Sequence, residues 1–252
     1  MKKLFLFFLI LNFSCNNEKF KKEYYPNGNL KSKIKLDDNG IPNGNFEEYY
    51  ENGILKAKGN DSKTPDSAFI YFENGKIKEK GMFYDGLRQN WWVIFDQNGK
   101  IITRIEYFKI KNKTFKNQYI SYSQAGDINY SKSSFFKFNI PDTLKIGKNL
   151  IDSNEFYTDK RGYKDFHFLS IIIDNRYSEN ETKKDTFQFR ISANQKSNPW
   201  FGIYAYKKGR MKITGEIEEK FIDYKLISND SADAQVIKIS RYFSKEIFVK
   251  HN

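Results

Sequence analysis

A single cysteine among 252 residues excludes a disulfide framework, and two histidines leave little material for metal or acid–base chemistry. His167 lies in Phe166-His167-Phe168-Leu169-Ser170, the pattern of a strand interior, and His251 is next to last. There is no phosphate-binding glycine loop, no Gly-x-Ser-x-Gly elbow and no His-Glu-x-x-His. The adjacent acids Glu47/Glu48 and Glu218/Glu219 would point to opposite faces of a strand and could not share a substrate. The expectation is a chain that is not an enzyme and takes no cofactor or metal. Helix-favouring stretches of Ala, Leu and Glu are also scarce. A mean hydropathy of -0.74 argues against several membrane spans. The one long apolar run, Leu4 to Phe13, is too short to cross a bilayer, which takes about 20 residues.

What the chain has in abundance is aromatic residues, at 17%, and a phrase that repeats. Tyr25-Pro26-Asn27-Gly28-Asn29-Leu30-Lys31 returns as Tyr50 to Lys56, Phe72 to Lys78 and Asp96 to Ile102, with glycines at 28, 53, 75 and 99. Self-similarity at this period means a supersecondary unit stacked on copies of itself. Immediately before each glycine stands Asn27, Asn52, Asn74 or Asn98. Asn-Gly between β-rich runs predicts a hairpin with a type I′ turn. Four places before each glycine is an aromatic (Tyr24, Tyr49, Tyr71, Phe95), and two after it an aliphatic (Leu30, Leu55, Ile77, Ile101). Alternation then predicts an apolar inner face and an outer basic row of Lys33, Lys58, Lys80 and Arg104. Of the adjacent pair, Trp92 occupies the repeat's aromatic slot, so Trp91 is the candidate contact residue beside that row. Asn90 stands where another copy has Gly44, which predicts positive φ at both. A fainter fifth copy places Tyr119, Tyr122, Gly126 and Ile128 at the same offsets.

The pattern resembles the variant MORN repeat of bacterial proteins. The resemblance implies a chain of hairpins forming one long twisted sheet that serves as a platform for protein or lipid. Some bacterial members carry an antitoxin label, which implies an immunity-like protein neutralising a toxin as one alternative.

The start of the chain resembles a bacterial lipoprotein signal: basic Lys2-Lys3, the apolar run, then Ser14 before Cys15. Ser14 fits the usual box, whereas Asn12 and Phe13 depart from it and Leu11 stands one place early. The resemblance implies cleavage after residue 14, lipidation of Cys15 and residence in the bacterial cell envelope, as an outer-membrane or periplasmic-face lipoprotein. The net charge of +12 is spread along the chain and suits a solvated surface, anionic lipid or acidic glycan. An exported chain is not expected to meet nucleic acid.

From about Phe135 the repeat stops. Phe136/Phe138/Ile140, Phe187/Phe189/Ile191, Met211/Ile213/Ile217 and Ile237/Ile239 alternate with polar residues between turn-rich clusters. Such strands predict an antiparallel β-sandwich, and the phrases around Gly147, Gly209 and Gly215 resemble Ig-like modules of bacterial surface lipoproteins. The whole is therefore expected to be all-β: signal 1–14, tether 15–22, hairpin repeats 23–133 and Ig-like sandwich 134–252. The expected role is a membrane-anchored scaffold that binds a protein partner, anionic lipid or glycan. Cys15→Ser is expected to release the protein from the membrane fraction or leave it uncleaved. Mass spectrometry finding an unmodified Cys15 inside a longer chain would overturn the lipidation reading.

Overall fold

The computed structural model describes residues 18–61, 66–158, 166–191, 196–228 and 231–251; Cys15 and the signal segment lie outside them. The described chain is all β apart from one short 3₁₀ turn at Tyr130–Lys132. Its first half is a meander of nine antiparallel strands in sequence order. These are β1 (Phe20–Tyr24), β2 (Leu30–Leu36), β3 (Pro42–Tyr49), β4 (Leu55–Asp61) and β5 (Asp66–Tyr71). They continue as β6 (Ile77–Tyr84), β7 (Leu87–Phe95), β8 (Ile101–Ile110) and β9 (Lys113–Ser121). The first strand begins within the expected tether, with Phe20 paired to Lys35, and ends in the expected repeats.

The repeated phrase encodes a turn and a bulge together. The aromatic before each glycine pairs with the aliphatic after it: Tyr24 with Leu30, Tyr49 with Leu55, Tyr71 with Ile77, Phe95 with Ile101. Each of these pairs sits beside a register shift, so the bulge recurs with the turn. The expected type I′ turn is not formed there. Gly28, Gly53, Gly75 and Gly99 have positive φ, but none of the four preceding asparagines does. The reason is loop length. Tyr25 and Asn29 bond across the loop (2.8 Å), and the Gly28 amide bonds back to Tyr25 (2.9 Å). The loop thus holds three residues, in which a type I turn is followed by one left-handed residue. The asparagine side chain instead accepts the amide two places on, as from Asn29 to Asn27 and from Ile54 to Asn52. In the fourth copy Asp96 takes over this task, accepting the amides of Asn98 and Lys100 at 2.9 Å each. The type I′ pair falls at the opposite end of the sheet, at Asp85 (φ 53°) and Gly86 (φ 70°). Gly44 and Asn90 both have positive φ, each at a bulge in its strand.

Successive hairpins are stitched at the turn end. Tyr25 donates its hydroxyl to the Tyr49 carbonyl (2.8 Å) and Tyr50 to that of Tyr71 (2.7 Å). Across the middle of the sheet runs a row in which three small residues lie between large ones: Phe46, Gly59, Ala68, Gly81, Trp92, Ile105. A Cβ on Gly81 would fall 2.4 Å from the Trp92 ring, and one on Gly59 would fall 2.8 Å from Phe46. The missing side chains let the two rings lie against the sheet. Trp92 is thereby only 1% exposed, with its indole N–H donated to the Met82 carbonyl (2.9 Å). Only Ala68 and Trp92 are buried among the hydrophobics described in β1 to β9, so the apolar inner face expected from alternation is only half-buried.

The second half adds β10 (Phe135–Lys137), β11 (Thr143–Lys145), β12 (Gly147–Ile151), β13 (Glu155–Tyr157) and β14 (Phe166–Arg176). It ends with β15 (Thr182–Arg190), β16 (Phe201–Ala205), β17 (Gly209–Ser228) and β18 (Ser231–Lys250). Instead of the two stacked sheets of an immunoglobulin sandwich, seven of these strands form one sheet in the order β11-β18-β17-β14-β16-β12, with β15 on β14. β10 and β13 form a separate ribbon. The two ends of the main sheet, β11 and β12, are separated in the chain by Ile146 alone. The sheet must therefore curl back on itself, enclosing Leu169, Ile171, Ile173, Phe201, Ile203, Ile217 and Val249. β11 runs parallel to β18, an arrangement that strand patterning does not reveal.

The halves are spliced through β9. The Asn117 amide, 4% exposed, donates to the Tyr242 carbonyl and accepts the Tyr242 amide, both at 2.7 Å. Tyr119 bridges Ser134, and Phe108 stacks on Tyr242. Gly81→Ala should force Trp92 from its seat and cost about 1–3 kcal/mol. A denaturation midpoint equal to that of the native protein would show that the ring does not depend on the missing side chain.

Candidate binding faces

The first candidate face is the basic row. Lys33 pairs with Glu47, Glu47 with Lys58, Phe69 with Lys80 and Val93 with Arg104. With Lys58 opposite Phe69, the four cations fall in one register line on alternate strands. Each lies over an aromatic ring: Lys33 over Phe20 (4.3 Å), Lys58 over Phe69 (5.7 Å), Lys80 over Phe95 (5.5 Å), Arg104 over Tyr122 (5.8 Å). The rings support the stems and leave the charged heads at the surface. Lys33 reaches Glu47 at 4.0 Å, whereas Lys58, Lys80 and Arg104 have no acidic partner among the described residues. Trp91, 36% exposed, pairs with Glu106 and projects on the side of Val93 and Arg104, so it adjoins the row. The structure thus brings Trp91 and the four cations onto one face. Asn27, Gly28, Asn52, Gly53, Asn74, Gly75, Asn98 and Gly99 lie instead along the turn end, where they set geometry.

Trp92 lies on the opposite face, with Arg88 4.3 Å above its ring and ion-paired with Glu79 at 2.7 Å. Farther along that face is a cavity of about 570 Å³ lined by Thr103, Ile105, Tyr119, Ser121, Lys116 and Lys132 among others.

A second cavity, of about 490 Å³, lies in the other half where β15 meets β12 and β16. Its residues come from distant parts of the chain: Lys148, Asn175, Tyr177, Asp185, Phe187, Gly202 and Tyr204. Spacing in the sequence gives no sign of them, since only the register that sets Lys148 against Tyr204 brings those strands together. Asn175, 2% exposed, donates to Asp185 Oδ2 (2.6 Å) and the Gly202 carbonyl (3.1 Å), and accepts the Tyr204 amide (2.9 Å). Tyr177 donates to the same Asp185 oxygen at 2.5 Å. That bond first, and burial second, push the Tyr177 hydroxyl up to about 12.

A buried polar trio lies beside the splice. Glu219, fully buried, accepts from Arg241 at one oxygen and meets His167 Nε2 at 3.0 Å with the other. Arg241 also donates to Ser134, and His167 stacks on Phe221 at 4.3 Å. The other ring nitrogen of His167, Nδ1, is buried without a hydrogen-bond partner among the described residues. Among the described residues no group of three or more His, Cys, Asp or Glu is placed to hold a metal.

These features define a β-hairpin repeat platform joined to a second β unit. Residues 21–38, 42–60 and 67–85 match the family model of the MORN repeat variant. Each matched segment is one hairpin, β1-β2, β3-β4 or β5-β6, with its tip at Gly28, Gly53 or Gly75. A comparison with curated proteins gives no match. The same turn continues past the matched segments at Asp96–Gly99 and Ser123–Gly126, and Asp37–Gly40 forms it at the other end of the sheet, so the described residues hold six copies of the geometry.

Burial by itself raises the Glu219 carboxyl, but the bonds from His167 and Arg241 prevail and hold it below the usual carboxylate range. A lowered folded value means that this stabilisation is full above the unfolded value, about 4.3, and is lost as pH falls through the folded one. Glu219→Gln should cost about 3–5 kcal/mol at neutral pH, because it strands the Arg241 charge. Urea melts between acidic and neutral pH should also show a flatter acid limb in the variant. An unchanged slope would place the acid sensitivity elsewhere.

Proposed function

We propose that this chain is an exported, lipid-anchored scaffold without a catalytic centre, attached through Cys15 and binding through the basic face of its hairpin sheet. The observation that carries the reading is the line of Lys58, Lys80 and Arg104, unpaired with acids and seated over aromatic rings. Neighbouring cations of the row are two strand spacings apart, about 10 Å, where salt largely screens their repulsion. The row therefore holds together without a partner and still presents a regular positive surface. An anchored protein is already near headgroups, and each cation close to an anionic surface adds about 1 kcal/mol. Trp91 at the end of the row suits the same boundary, with an apolar ring and a polar N–H. The partner is anionic lipid or an acidic protein surface.

Protein beginning after Cys15 should bind phosphatidylglycerol vesicles in a salt-sensitive manner and ignore phosphatidylcholine. Changing Lys33, Lys58, Lys80 and Arg104 together to Gln should weaken sedimentation with vesicles by about a hundredfold or more while preserving the β spectrum. Native protein that ignores anionic vesicles at low salt rules out the lipid partner. Cross-linking pull-down of the anchored form then tests the acidic protein.

A further inference from the structure

The cavity between β12, β15 and β16 is a built site on the half of the chain that carries no repeats. Its floor is Gly202, itself buried, across from the exposed Leu150 and between the core residues Phe201 and Ile203. A methyl on Gly202 would stand 3.4 Å from the Phe187 ring and 3.6 Å from the Lys148 stem, so a side chain of any length there occupies the cavity. Its walls are aromatic. Phe187 stands on one side and Tyr204, stacked on Tyr177 at 4.5 Å, on the other; Trp200, outside the cavity, meets Phe187 edge-on at 5.6 Å.

Its polar groups are held from behind. Asn175 fixes the backbone of Gly202 and Tyr204 and, together with Tyr177, binds a single oxygen of Asp185. The other oxygen, Oδ1, has no partner among the described residues, and neither does the ammonium of Lys148. One fixed acceptor and one free donor therefore line a single aromatic-walled space.

The pairing discriminates between ligand classes. An anion would meet Asp185, a cation would meet Lys148, and a purely apolar ligand would leave both without partners at a desolvation cost. A neutral polyol suits both groups, since each hydroxyl donates and accepts and the C–H faces of a sugar ring pack on aromatic walls. We propose that this cavity binds a neutral saccharide, with Asp185 accepting from ring hydroxyls, Lys148 donating to them, and the ring lying over Gly202 between Phe187 and Tyr204. The site is independent of the basic face, which belongs to the other half.

The test is an array of neutral and acidic oligosaccharides probed with the full chain, followed by calorimetry on the neutral oligosaccharide that binds best. Free glycine and lysine serve as zwitterionic probes. Lys148→Gln leaves the Asn175–Asp185–Tyr177 bonds in place and should weaken that oligosaccharide at least tenfold. Gly202→Val should abolish binding, and Asp185→Asn should weaken it at least tenfold, with the β spectrum checked for each. The fourfold Gln variant of the basic face should bind the saccharide as the native protein does, which separates this site from the platform reading. The proposal is overturned if no neutral oligosaccharide binds, if the amino acids bind in place of sugars, or if Lys148→Gln and Gly202→Val both fold and bind undiminished.

Discussion

A sheet with one layer cannot shelter its residues between two, so the hairpin half depends on holding every strand in register. Its bulge and three-residue turn recur as one unit, which places each new hairpin at the same offset from the last. A slip by one residue would carry the basic row to the side of Trp92 and break the seat made by Gly81. The tyrosine hydroxyls that reach the next hairpin's backbone add the same constraint from the edge. Regularity of the surface is thus a product of regularity in the backbone, and the aligned charges follow from it.

Much of this could be read in the residues because a repeat states its own alignment. Offsets from each glycine gave the recurring aromatic and aliphatic positions, the line of cations and the positive φ at Gly44 and Asn90. The turn type was misread because Asn-Gly serves both two- and three-residue loops, and the choice rests on whether Tyr25 pairs with Asn29 across it. The seats of Phe46 and Trp92 were not legible either. Gly59 and Gly81 lie inside strands, where a glycine signals close approach without naming what approaches. In the second half nothing repeats, so alternation gave strands but no order, and the curled sheet with its parallel edge could not be foreseen.

The splice between the halves supplements one backbone bridge with a side chain. Asn117 presents both a donor and an acceptor to Tyr242, as a neighbouring strand would, while Glu106 accepts from Asn117 and from Gln118. Gln118 in turn accepts the Phe136 amide. A meander that would otherwise end in an open edge at β9 is closed by the chain that follows it, through the Tyr119–Ser134 bridge. The buried trio of His167, Glu219 and Arg241 reaches Ser134 at the same place.

The paired strands β17 and β18 continue to Ser228 and Ser231, past Ile222, the last residue of β17 whose pairing with β14 is described. The outer part of the pair exposes Leu226, Ile227 and Val236. Toward the core the same two strands bury Ile213, Ile217, Glu219 and Phe221. A single hairpin thus runs from packed interior to solvent, and amide exchange along it is expected to quicken from Ile217 toward Leu226.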